Sequence, residues 1–265
     1  MKTALAQINI RFEDKTANED TVRKYIKEAA DNSADIVFFP EMTFTGFTMD
    51  VQKNGDLNGE TIDKIRQMSY SYNVAVGFGW IKRAGEKGEN HYTVISPRGE
   101  ILADYVKMHP FSYSSEDKYY NAGNSLSSFT YLGKRISVFI CYDLRFPEIF
   151  QAASEESEII AVAANWPERR REHWKTLLKA RGIENQSWIL GVNCFGDQQE
   201  LHYSGDSSII KPDGTIASEI NNAEGIIYAE IGDEVKDVRN GFPVKHDRRT
   251  ELYKKLYKGC DDYEL

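Results

Sequence analysis

Residues 135–196, RISVFICYDLRFPEIFQAASEESEIIAVAANWPERRREHWKTLLKARGIENQSWILGVNCFG, decide the fold. RISVFICYD, EIIAVAANWP and WILGVNCFG are short, almost wholly apolar runs, as strands buried on both faces are. Between them, FPEIFQAASEES and HWKTLLKARGIENQS read as helices, and Pro147 suits the first turn of the earlier one, where a missing N–H costs nothing. Strand, helix, strand, helix, strand implies parallel pairing with the helices laid over one face of the sheet. Downstream, DSSIIKPDGTIASEI is a hairpin about a Pro-Asp-Gly turn, and EGIIYAEI closes the pattern before a polar tail from about residue 236.

The amino-terminal half repeats the scheme. MKTALAQINI is a strand, and Val22, Ile26 and Ala29 recur at helical spacing in NEDTVRKYIKEAADNS. ADIVFFPEM is a buried strand ending at Pro40-Glu41, TIDKIRQMSYSYN a helix and VAVGFGW another strand. YTVISPRGEILADYVK is then two strands about a Pro-Arg-Gly turn. Two such halves packed sheet against sheet give an α/β protein, a four-layer α-β-β-α sandwich forming one domain over residues 1–265.

Bulk properties exclude several classes. With 265 residues, 41% hydrophobic and 28% charged, the composition is that of an ordinary globular chain. A formal charge of −8 gives a nucleic-acid backbone no electrostatic support. The first ten residues lack the apolar core and cleavage site of a signal peptide, and no run is long enough to cross a bilayer. The three cysteines, Cys141, Cys194 and Cys260, have no CxxC spacing, which argues against a disulfide framework and a zinc site. His91, His109, His173, His202 and His246 show no paired metal-ligand spacing. The expected compartment is the cytoplasm, where a working thiol stays reduced.

Three polar residues sit where apolar strands end. Cys141 follows Ile136–Ile140 on a strand-to-helix turn, where a nucleophile can project into a cleft beside backbone N–H groups. The alternative is a packed structural cysteine, and position alone does not separate the two. Glu41 follows Phe38-Phe39-Pro40; burial would make it a usable proton acceptor, whereas a solvated glutamate is the commoner fate. Lys107 ends ILADYV; beside a buried carboxylate it would hold fixed positive charge where an oxyanion forms.

FFPEMTFTGF, KMHPFSY and FICYDLRFPE resemble, in order, the three catalytic motifs of the nitrilase superfamily of carbon–nitrogen hydrolases. The resemblance runs from the first strand through the DSSIIKPDG hairpin. It implies the αββα fold and a Glu-Lys-Cys triad of Glu41, Lys107 and Cys141, with Glu116 of SYSSEDKYYNAG as a second glutamate and Asp117 as its neighbour. FPEMTFTGF, YYNAGN, CYDLRFPE and NWPERRREHWKTLLKARGIENQ are most similar to small ω-amidases. Those release ammonia from the distal amide of dicarboxylic monoamides such as 2-oxoglutaramate or succinamate. The resemblance also suggests a homodimer.

From these residues the expected chemistry is attack by the Cys141 thiolate on an amide carbonyl, with Glu41 moving protons. Lys107 and the backbone N–H of Tyr142 would stabilise the oxyanion, and a thioester would follow. No metal or cofactor is needed. A distal carboxylate requires a cation; Arg145, Arg169, Arg170 and Arg171 are the candidates, against the reading of an arginine run as a solvated face. Phe44, Phe111, Tyr119, Tyr120 and Trp166 are candidates for an aromatic wall, or else core. His109 is expected to shape the lysine loop, Cys194 to lie in the core, Cys260 to be exposed, and the tail to meet a neighbouring subunit. Hydrolysis of carbamoyl compounds or nitriles, and a non-catalytic binding protein on the same fold, are the competing readings.

Overall fold

The computed structural model describes residues 1–258; Cys260 lies outside the described residues. Its strands are β1 (Lys2–Gln7), β2 (Ile36–Phe38), β3 (Ala75–Ala84), β4 (Lys87–Ile95), β5 (Ile101–Val106), β6 (Tyr120–Asn121) and β7 (Ser128–Tyr131). They continue as β8 (Lys134–Ile140), β9 (Ile159–Ala164), β10 (Trp188–Asn193), β11 (Phe195–Gln198), β12 (Leu201–Ile210), β13 (Ile216–Asn221) and β14 (Gly225–Glu230). The helices are α1 (Lys15–Asp31), α2 (Val51–Asn54), α3 (Glu60–Tyr72), α4 (Glu116–Tyr119), α5 (Pro147–Ala153), α6 (Arg171–Asn185), α7 (Glu234–Gly241) and α8 (Thr250–Lys258).

One sheet runs β14-β1-β2-β3-β4-β5 with β6 on β4; the other runs β11-β12-β10-β9-β8-β7 with β13 on β12. The centre of each is parallel, β1-β2-β3 and β8-β9-β10, because helical crossovers join those strands. Hairpins make the flanks antiparallel, and the expected turns serve them: Gly99 and Gly214 take the positive φ of 80° and 85° that their turns require.

Strand periodicity separates the layers. Ile36 and Phe38 enter the core between the sheets with Tyr92, Val138 and Ile160, whereas Val37 and Phe39 pack under α1 and α3 against Val22, Ile26, Ile65 and Met68. On the other sheet the core extends to Phe150, Trp174 and Leu178 of α5 and α6. The result is helix, sheet, sheet, helix, each fully buried large apolar side chain contributing about 1.5–3 kcal/mol. β14 pairs antiparallel with β1, so a strand from the second half closes the first sheet. That long-range partner was not readable from local pattern.

Two basic groups of the tail, Arg239 and Arg248, are held by their own chain. Arg239 donates to the carbonyls of Ser157 and Gln186, and Arg248 to the carbonyl of Glu184 and the amide oxygen of Asn185. Val235 is buried beneath. Helix carbonyls left open at the ends of α5 and α6 are natural acceptors for such cations.

Candidate active site

Glu41, Lys107, Cys141 and Glu116, 66 residues apart at the widest hydrogen-bonded pair, converge at one end of the two sheets. Glu41 follows β2, and its backbone lies directly on β3. A Cβ at Gly79 would fall 2.3 Å from the nitrogen of Met42 and 2.9 Å from the Cα of Glu41, so only glycine permits the approach. Thr43 and Gly79 exchange hydrogen bonds that fix it there. Cys141 opens a 3₁₀ turn after β8 with φ of +46°, a left-handed conformation that turns the chain sharply at the strand end.

Lys107 Nζ lies 2.8 Å from Glu41 Oε1 and 2.9 Å from Glu116 Oε2, all three side chains being excluded from solvent. Burial opposes the lysine's charge, but Glu116, Glu41 and Cys141 outweigh it and hold Lys107 well above the ordinary lysine range. Burial pushes Glu116 up, with Glu41 adding to this and Lys107 opposing it. Glu41 Oε2 accepts the backbone N–H of Asn165 at 3.0 Å, and Asn90 Nδ2 donates to Glu41 Oε1 at 2.8 Å. The Cys141 thiol lies 3.9 Å from the carbonyl of Asn165, with Glu41 close enough to act on it. Burial, then Glu41, push that thiol well above the ordinary cysteine range despite Lys107. At neutral pH it is therefore a thiol, not a free thiolate.

A third buried carboxylate ties the lysine and cysteine segments together. Asp143 accepts from Tyr105 Oη (2.8 Å), the backbone N–H groups of His109 and Ile140 (3.0 Å each), and His109 Nδ1 (2.8 Å). A carboxylate only accepts, so Nδ1 carries the hydrogen, and His109 shapes its loop as expected.

Above Cys141 opens a cavity of about 210 Å³, below the roughly 300–1,000 Å³ typical of pockets for drug-sized ligands. Arg145, Arg169, Arg170, Phe111 and Trp166 line it, together with Tyr142. The Arg145 guanidinium lies 4.7 Å from the Trp166 ring, and that of Arg170 5.4 Å from the Phe111 ring. The aromatics are thus platforms for cations as much as a wall. None of the three arginines has a carboxylate within ion-pair distance among the described residues. Burial, then Arg169 and Arg145, lower Arg170 from the ordinary arginine range, a sign of unrelieved positive charge.

Four expected wall or clamp residues are elsewhere. Arg171 begins α6, where the helical rotation carries it from the pocket to Asp206, 2.6 Å away. Phe44 is core, edge-on to Phe78. Tyr119 is exposed outside the cavity, and Tyr120 is buried with its hydroxyl on the carbonyl of Thr48. Unforeseen lining residues include Phe47, Tyr113, Asn165, Leu201 and Tyr203. Cys194 is core. Among the described residues no group of three or more His, Cys, Asp or Glu side chains could hold a metal, and no helix is long and apolar enough to cross a membrane.

The family model for carbon–nitrogen hydrolases matches residues 2–240, nearly the whole chain. The chain belongs to the carbon–nitrogen hydrolase family. Among curated relatives of this hydrolase, a protein from Yersinia enterocolitica named omega-amidase YafV is 34% identical over 80% of the chain and 84% of its own length. One from Bacillus subtilis (strain 168) named 2-oxoglutaramate amidase is 32% identical over 87% and 91%. A solved structure from Xanthomonas campestris, a CN-hydrolase superfamily protein with an arsenic adduct in its active site, superposes with TM-score 0.87 at 30% identity, covering 94% of this chain and 97% of that one.

Proposed function

We propose that this hydrolase cleaves the distal amide of a small dicarboxylic monoamide of the 2-oxoglutaramate or succinamate kind, yielding a dicarboxylate and ammonia. The observation that carries the reading is the rim: three arginines without carboxylate partners among the described residues surround a small cavity lined by Cys141 and Lys107, with Glu41 buried behind them. An anionic group on the substrate supplies the missing charge, and arginine suits a carboxylate. The names of the Yersinia and Bacillus relatives agree with this.

Glu41 takes the proton of Cys141 as the sulfur bonds to the amide carbon. The carbonyl oxygen gathers negative charge beside Lys107 Nζ and the N–H of Tyr142, an amide of the first turn that has no helical partner to satisfy. Glu41 passes its proton to the amide nitrogen, the C–N bond breaks, ammonia departs and a thioester remains. Glu41 then takes a proton from water, the oxygen attacks the thioester carbon, and the C–S bond breaks. The sulfur leaves as the protonated thiol and the acid is released. Glu116 holds Lys107 in place. Two free thiols, Cys141 and Cys194, suit a reducing compartment such as the cytoplasm. A homodimer remains the expected assembly, to be read by sedimentation.

The test is ammonia release from 2-oxoglutaramate and succinamate by wild type and Cys141→Ala. Release by wild type that falls by at least about 10³-fold in the variant is expected. Turnover retained by the variant would sink the mechanism; release from carbamoyl compounds or nitriles instead would sink the substrate.

A further inference from the structure

Asn90 lies in the middle of β4, outside the three motifs, yet it is 1% exposed and at the centre of the charged floor. Its Nδ2 donates to Glu41 Oε1 at 2.8 Å and to Glu116 Oε1 at 3.1 Å, and its backbone carbonyl accepts the N–H of Lys107 at 2.9 Å. The amide orientation is forced, since the opposite flip would aim Oδ1 at two carboxylates. Oδ1 accepts no hydrogen bond from a described residue, a cost that a purely structural side chain would not need to carry. Two residues earlier, Gly88 pairs with Tyr120, which follows directly on the helix bearing Glu116.

We propose that Asn90 is a positioning residue that bridges the Glu41 and Glu116 carboxylates around one lysine and thereby sets the pH range in which Cys141 is activated. The proposal rests on Glu41 being the base. Two buried carboxylates sharing one cation repel each other, and a neutral amide relieves this without a second counter-charge that would quench the base. Donation to both oxygens favours their ionised forms. The other titratable groups facing this cluster are Lys107, Cys141, Cys194, Tyr120 and Tyr203.

The experiment is the pH dependence of Cys141 alkylation by iodoacetamide, followed at that residue by peptide mapping, beside kcat and KM on succinamate. In Asn90→Ala the midpoint of the alkylation profile moves to higher pH, with kcat falling about 10-fold or more and KM changing little. In Asn90→Asp, where a third carboxylate faces the same lysine, the midpoint rises by about one pH unit or more. If Asn90→Asp fails to fold, the Asn90→Ala profile decides alone. Profiles that overlay wild type, or a lowered melting temperature with an unmoved midpoint, overturn the proposal. A wild type alkylated at Cys141 but inert to every amide would overturn the functional reading instead, leaving Asn90 to be judged on alkylation.

Discussion

The floor and the rim of the pocket are both strongly charged, yet they are built on opposite terms. On the floor, Lys107 already touches two carboxylates, and Glu41 already receives hydrogen bonds from Lys107, Asn90 and Asn165. At the rim, Arg145, Arg169 and Arg170 have no carboxylate partner among the described residues, and two of them rest on aromatic rings. Under the proposed function, charges needed for chemistry are fixed by the protein and those at the rim are left for the ligand to satisfy, so the floor sets rate and the rim sets choice of substrate.

The sharpest way to break this contrast is Glu41→Gln. Loss of the floor's proton acceptor lowers kcat by about 10³-fold with KM nearly unchanged. Burial, the larger of the causes that raise the Cys141 thiol, remains in this variant, so thiolate stays scarce at neutral pH with no carboxylate to take the proton. Alkylation of Cys141 in this variant should therefore be slow near neutrality and rise steadily with pH toward the alkaline range. Equal alkylation of variant and wild type at neutral pH would show that the floor does not activate the sulfur.

Next in size is the rim. Arg145→Ala or Arg169→Ala should cost about 1.5–3 kcal/mol of charge-assisted binding, raising KM for succinamate roughly 10- to 100-fold. Neutral short-chain amides should be affected little by either change. Equal losses on charged and neutral amides would show that the arginines serve the floor and erase the distinction drawn above.

The smallest effect is expected from Arg171→Ala. Asp206 loses a partner, and since the Arg171 side chain is 30% exposed the cost is discounted to about 1–2 kcal/mol, a fall of a few degrees in Tm. Turnover should stay within about twofold of wild type, because the residue faces away from the cavity. A substrate-specific rise in KM would return Arg171 to the rim.

What was legible beforehand follows the same physics. Glu41, Lys107, Glu116 and Cys141 could be found because three of them terminate apolar strands and the fourth sits in a motif loop. The parallel halves were visible as alternating strands and helices. Asn90 was not, because it lies inside ENHYTVI, where only register with β5 and β6 shows that it faces two carboxylates. Asn165 contributes a backbone N–H, which has no sequence signature. Arg169, Arg170 and Arg171 are indistinguishable in a run, and only the start of α6 turns the last one away. Phe44 was named where Phe47 lines the pocket; the tight turns after Glu41, with Met42 at φ +43° and Gly46 at +70°, decide which ring faces the lysine.

The elevated proton affinity of the Cys141 sulfur has a consequence for how long the molecule lasts. Peroxide and other oxidants attack thiolates far faster than thiols. A sulfur that keeps its proton while the pocket is empty resists conversion to sulfenic and sulfinic acids. On the proposed mechanism, its chemical vulnerability is confined to the moments when Glu41 has taken the proton.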